Sequence, residues 1–132
     1  MEMADRTLPA EPDVIAPDGS QVRILCGVDG ASTAHFRLRP GQVSVAVVHA
    51  TVSEVWYVLR GRGVMWRRQG ASESELALVP GVSLSIPVGT AFQFRAEGGA
   101  DDEPLEILGV TAPPWPGEGE ASPVEGRWEP AL

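Results

Sequence analysis

The sequence predicts one all-β domain, a sandwich or barrel of about nine short strands. Three observations predict it. Runs of β-branched and aromatic residues recur at intervals of roughly 8–12 residues. Glycine and proline punctuate nearly every gap between them. No stretch holds a convincing helical period. Fifteen glycines and twelve prolines in 132 residues suit a turn-rich sheet protein and not a helical one. The length suits a single domain with a real core, and there is no internal repeat.

Each element has its own reason. Residues 1–19 read as an extended arm, because Pro9, Pro12 and Pro17 break any helix and Pro17-Asp18-Gly19 reads as a turn. A first strand is expected over 21–26, with Cys26 as a buried strand residue. Gly27 to Gly30 turns the chain. Over 33–38, Ala34, Phe36 and Leu38 alternate with His35 and Arg37. Pro40-Gly41 is a turn, and 42–51 is a β-branched strand. Residues 54–59 and 64–68 form a hairpin around Gly61-Arg62-Gly63, and 69–74 is a polar loop. Strands follow over 75–79, 82–86 and 91–96, the last with Phe92 and Phe94 on one face and Gln93 and Arg95 on the other. Residues 97–103 make an acidic loop, and 105–111 is the last strand. The segment 112–132 holds Pro113, Pro114 and Pro116 and is not expected to be regular. Trp115 and Trp128 are costly to expose, so it is expected to dock on the wall as an ordered strap.

Charge is distributed unevenly. The net charge of −8 argues against nucleic acid as a partner. Residues 20–96 carry a net +4, whereas 1–19 carry −4 and 97–132 carry −8. Such a cationic body could hold the acidic ends or attract an anionic ligand. The chain has no lysine, so every cation except the amino terminus is a guanidinium and lysine Schiff-base chemistry is excluded. No 18 consecutive residues are apolar, no basic stretch precedes an apolar run at the start, and the single cysteine permits no internal disulfide. A cytoplasmic protein with no membrane partner is expected.

The chemistry concentrates in His49-Ala50-Thr51-Val52-Ser53-Glu54-Val55-Trp56-Tyr57-Val58-Leu59-Arg60-Gly61. A histidine and a lone acid sit between two strands, which suits the mouth of a β-barrel. An acid inside an apolar wall tends toward a raised pKa, and a nearby imidazole can shuttle its proton. Glu54 and His49 are therefore the candidate catalytic residues, with Thr51 orienting a substrate by hydrogen bond. Trp56, of the same strand parity as Glu54, would wall the site together with Phe92 and Phe94. Gln93 and an inward Arg67, the latter a carboxylate anchor, complete the candidate ligand-binding set. The expected ligand is a small organic molecule, cyclic, apolar or anionic. No Gly-x-Ser-x-Gly, Walker loop or Cys-x-x-Cys supports other chemistry.

These residues carry a resemblance. Gly41, His49-x-Thr51, Glu54 and Gly61, followed by Gly81 and Pro87-Val88-Gly89, resemble the two motifs of the cupin superfamily. The resemblance spans about residues 20–111 and extends to small single-domain cupins labelled mannose-6-phosphate-isomerase-like, which share His-x-Thr and the Pro113 to Gly117 tail. It implies a double-stranded β-helix, or jelly-roll, barrel with extended terminal arms, and a homodimer. It also implies a metal held by three histidines and a glutamate. Here Thr51 and Phe92 stand at two of those histidine positions, leaving His49 and Glu54. Zinc and iron sites need about three protein ligands, so no cofactor is expected. Three readings follow. One is a metal-independent isomerase, lyase, dehydratase or cyclase using Glu54 and His49. Another is a non-catalytic small-ligand-binding cupin. The third is a metal-dependent oxygenase or isomerase with a zinc or iron ion on His49 and Glu54.

Overall fold

The computed structural model describes residues 1–132. Eleven strands and no helix form two antiparallel sheets that face each other. No helix is long and apolar enough to cross a membrane. The six-stranded sheet runs β1 (Val14–Ile15), β2 (Gln21–Val28), β3 (Ala31–Leu38), β10 (Leu105–Ala112), β5 (Ser53–Arg60), β8 (Ser83–Ile86). The five-stranded sheet runs β11 (Ala121–Pro123), β4 (Val47–His49), β9 (Ala91–Ala96), β6 (Gly63–Gln69), β7 (Ser72–Leu78). The two sheets stay separate, so the architecture is a jelly roll with open edges and not a sealed barrel.

Alternation along the strands builds the core. On β5, Glu54, Trp56 and Val58 are buried while Val55, Tyr57 and Leu59 are exposed. On β9, Phe92, Phe94 and Ala96 point inward, and with Trp56, Val58, Met65, Leu105 and Ile107 they belong to one cluster between the sheets. Trp56 lies at its centre, its ring centroid 5.0 Å from Phe94, 5.2 Å from Phe36 and 5.8 Å from Phe92.

The structure corrects several sequence expectations. The stretch 42–51 is not one strand. Val43 makes only isolated bridges, and the regular part is Val47–His49. The polar segment 69–74 is mostly strand, because Gly70, in the left-handed region, lets β6 and β7 pair down to Gln69 opposite Ser72. Regular pairing also reaches both ends of the chain. Val14 pairs with Val22, and Ala121–Pro123 pair with β4 despite the neighbouring prolines. Pro123 sits on a sheet edge, where a missing N–H does no harm. Cys26 is half-buried, not buried.

The segment after β10 wraps the five-stranded sheet. Val124 N–H donates to the Ala46 carbonyl, and Val43 and Ala131 exchange two backbone bonds. Trp128 lies against Arg95, its ring 4.6 Å from the guanidinium carbon, beside a small cluster of Ala46, Trp66 and Ala91.

Gly63 opens β6 where only a hydrogen fits. A Cβ there would lie 2.0 Å from the Arg95 carbonyl oxygen, in the backbone of a paired strand. Gly63→Ala is therefore expected to cost about 1–3 kcal/mol through backbone displacement, read as a lower urea midpoint. An unchanged midpoint would show that the β6–β9 ladder yields freely.

Candidate functional site

The site arises where the chain changes sheets. β4 ends at His49 in one sheet and β5 begins at Ser53 in the other. The corner 50–52 between them turns the imidazole and the Glu54 carboxyl toward each other from facing walls. His49 Nδ1 lies 3.3 Å from Glu54 Oε2. The approach is off the hydrogen-bonding axis, so this buried Nδ1 has no hydrogen-bond partner in the protein. Glu54 Oε1 accepts a bond from Trp56 Nε1 at 3.1 Å. The imidazole packs edge-on against Phe92 at 5.3 Å and Trp115 at 5.1 Å.

The electrostatics follow from burial. Removal from water pushes the Glu54 carboxyl up to about 7. The indole N–H pulls it partly back, and the nearby Asp18 carboxyl pushes it further up. Burial pulls His49 below its ordinary value, against the attraction of Glu120 and the influence of the Val52 backbone. Near neutrality the pair thus holds an uncharged imidazole beside a carboxyl that is half protonated.

Both groups line a cavity of about 600 Å³ between the sheets. More than half of its lining residues are hydrophobic, among them Phe36, Val47, Trp56, Phe92 and Trp115. Residues 14–18 wall one side, and Trp115, Gly117, Glu118 and Ala121 wall another.

The remaining candidates lie elsewhere. Thr51 does not face the cavity: its hydroxyl and amide donate to the Glu120 carboxylate at 2.7–2.9 Å. Arg67 is not an anchor in this cavity. It donates to the Ser85 carbonyl at 2.8 Å and lines a separate polar cleft with Gln69, Glu73 and Thr90. Gln93 is buried on the outer side, where its amide grips Ser44, Arg127 and Trp128 and ties down the last turn of chain. Phe94 is fully buried below Trp56 and is core, not lining. His35 shares a face of β3 with Arg37, as alternation implies, and lies outside this cavity. It pairs with Glu106 at 3.2 Å, and Arg60 holds the same carboxylate.

Sequence reasoning missed Asp18 and Glu120. Each lies in an acidic stretch that reads as solvated chain. Glu120 accepts from the Thr51 amide and hydroxyl and from the Val52 amide at 2.7 Å, while its own carbonyl accepts from Ala50. It therefore fixes the corner that presents His49 and Glu54. Burial pushes its carboxyl up, but the bonds from Thr51 and Val52 outweigh this and hold it below its ordinary value. Glu120→Ala leaves those donors unpaired and is expected to destabilise the fold by about 1–3 kcal/mol at pH 7. A carboxyl with a depressed folded pKa contributes above its unfolded value and loses that contribution as pH falls through the folded one. The difference between the two proteins is therefore expected to shrink in acid. Urea unfolding at pH 7 and pH 3 checks both statements.

A metal would need more donors than the cavity offers. No third histidine, cysteine or carboxylate joins His49 and Glu54 in a cluster that could hold an ion. The position expected of a third histidine is the Phe92 ring, which is edge-on to His49. The donor set does not fit the three-histidine, one-glutamate pattern.

Residues 34–111 match the family model described as a cupin domain, more than half of the chain. The chain belongs to the cupin family. Solved structures agree on the fold. This cupin is 22% identical to the BH2720 protein of Bacillus halodurans (TM-score 0.64), covering 76% of this chain and 75% of that one. It is 19% identical to a conserved Klebsiella pneumoniae protein with a double-stranded β-helix domain (TM-score 0.62; 92% and 91% covered). It is 20% identical to the oxalate decarboxylase of Lactobacillus farciminis (TM-score 0.68), covering 80% of this cupin but 31% of that enzyme. No curated protein matches it by sequence.

Proposed function

We propose that this cupin is a small-molecule enzyme of the isomerase, lyase, dehydratase or cyclase kind, in which Glu54 moves protons with His49 as its partner. One observation carries the reading. An acid titrating near 7 sits on the wall of an apolar cavity, beside an imidazole nitrogen that no protein group satisfies. A general acid–base works best when its pKa lies near the working pH, because both protonation states are then populated. The carboxylate form of Glu54 takes a proton from a substrate C–H, and the carboxyl form returns one to another atom. His49, kept neutral by burial, stands 3.3 Å from Oε2 and adds no positive charge that would lower the Glu54 carboxyl. Trp56 holds the other carboxyl oxygen, and Phe92 and Trp115 give flat walls for a ring. The reading needs no metal, in line with the missing donors, and kinship with the small His-x-Thr cupins belongs to the same proposal.

The test uses 5-nitrobenzisoxazole, a flat apolar ring that opens when a base removes its one acidic C–H proton. The protein is expected to accelerate ring opening above buffer, with a rate that rises through pH about 7. Glu54→Gln is expected to lose that rate by about 100-fold or more. A Glu54→Gln protein that keeps the rate, or a wild type no faster than buffer, would overturn the proposal.

A further inference from the structure

The cavity holds acids and no permanently cationic side chain. Asp18, Glu54 and Glu118 are among its lining residues, whereas none of the ten arginines is, and the chain has no lysine. The physical reason for expecting an anionic ligand therefore disappears at this site. Asp18 is the telling residue. It is 8% exposed, and its Oδ1 takes both bonds from Ser20, the amide at 2.9 Å and the hydroxyl at 2.7 Å. Oδ2 has no partner in the protein. Oδ2 thus stands open on the wall of an aromatic-lined cavity, where a cation would find a partner.

We propose that the cavity takes an organic ammonium ion, a primary amine carried on a flat apolar ring, with the nitrogen on Asp18 Oδ2 and the ring against Trp56, Phe92 and Trp115. This names the substrate class of the proton-transfer site and rests on that reading. Asp18 binds the charge, which leaves Glu54 free to move protons. The aromatic faces add to the attraction, since a cation near an indole or phenyl ring meets its negative face. Without a ligand, burial pushes the Asp18 carboxyl above its ordinary range, against both Ser20 bonds. An ammonium would reverse this, and binding would release a proton.

The groups that face Asp18 are few. Glu54 on β5 interacts with it across the cavity, and His49 on β4 stands behind Glu54. Ser20 lies on its own segment, and Glu118 on the opposite one. Any pH dependence of amine binding reports on this group of acids and imidazole.

Three matched probes test the inference by calorimetry at pH 8: 2-(1-naphthyl)ethylamine, 2-(1-naphthyl)ethanol and 3-(1-naphthyl)propionate. The amine is expected to bind at least about ten-fold more tightly than the alcohol, and the carboxylate most weakly. Asp18→Asn keeps an oxygen for Ser20 and is expected to take away most of the amine's advantage over the alcohol, the remainder coming from the Glu54 carboxylate, which is ionised at pH 8. In the unaltered protein, amine affinity is expected to rise about ten-fold from pH 5 to pH 8 and alcohol affinity to stay flat. That comparison holds even where the variant fails to fold. An alcohol or carboxylate that binds as tightly as the amine overturns the ammonium assignment and leaves the proton-transfer site standing. Failure of all three probes overturns it too, and the 5-nitrobenzisoxazole rate then shows whether the proton-transfer reading falls with it.

Discussion

Glu54→Gln is expected to make the protein more stable at pH 8, by up to about 3 kcal/mol, while leaving its stability at pH 4.5 little changed. The reason is the distance between two titrations. In the unfolded chain the carboxyl ionises near 4.5, and in the fold near 7. Between those values the native state holds a proton that the unfolded state has lost. Stability therefore falls as pH rises through this window, and the whole penalty stands above pH about 7. At about 1.4 kcal/mol per pH unit the interval amounts to the figure above. Glutamine keeps the oxygen that accepts the Trp56 indole bond and cannot ionise, so it removes the penalty without opening a hole. His49 acts with the opposite sign. Its lowered pKa means that the unfolded state binds the extra proton, so its contribution to stability is lost as pH falls. That contribution is common to both proteins and cancels in their difference. Urea unfolding of the two proteins at pH 4.5, 6, 7 and 8 gives the result. Parallel stability curves would mean that Glu54 ionises in the fold as it does in water.

The same carboxyl shows how much the chain reveals by itself. His49 and Glu54 are five positions apart, and each is flanked by strand-forming residues. Their place between two strands, at the mouth of a barrel, suggests that they meet, and the geometry brings them to 3.3 Å. Trp56 follows from Glu54 by alternation, and Phe92 lies inward on β9. Alternation fails where the outer face is itself covered. Gln93 and Trp66 point away from the cavity, yet both are buried, because the last twenty residues lie over them. A local pattern cannot report a cover that arrives from 35 positions away. Thr51 misled for a related reason. Its hydroxyl is spent on Glu120, 69 positions later in sequence, and nothing near residue 51 announces that partner. Asp18 and Glu120 look like their solvated neighbours in the acidic ends. What sets them apart is the Ser20 bonds in one case and the Thr51–Val52 corner in the other, and both exist only once the sheets have formed.

Trp56→Ala is expected to cost about 3–5 kcal/mol, more than the other substitutions considered for the core. The indole is 2% exposed and touches aromatic rings on three sides, so its loss leaves a void bounded by Phe36, Phe92 and Phe94 that those rings only partly refill. The change also strips Glu54 of its one hydrogen-bond donor. Trp56→Phe separates the two effects. It keeps a ring in the wall and removes the N–H with only part of the indole's bulk, so most of the stability is expected to remain. The indole bond is what pulls the Glu54 carboxyl down against burial, and without it the carboxyl should titrate higher than about 7. The 5-nitrobenzisoxazole pH–rate profile of Trp56→Phe is therefore expected to move to higher pH, with the limiting rate at high pH retained. A Trp56→Phe profile that coincides with wild type would show that the indole serves the fold alone. A shift without loss of the limiting rate would make Trp56 a positioning residue that sets where its neighbour gives up a proton.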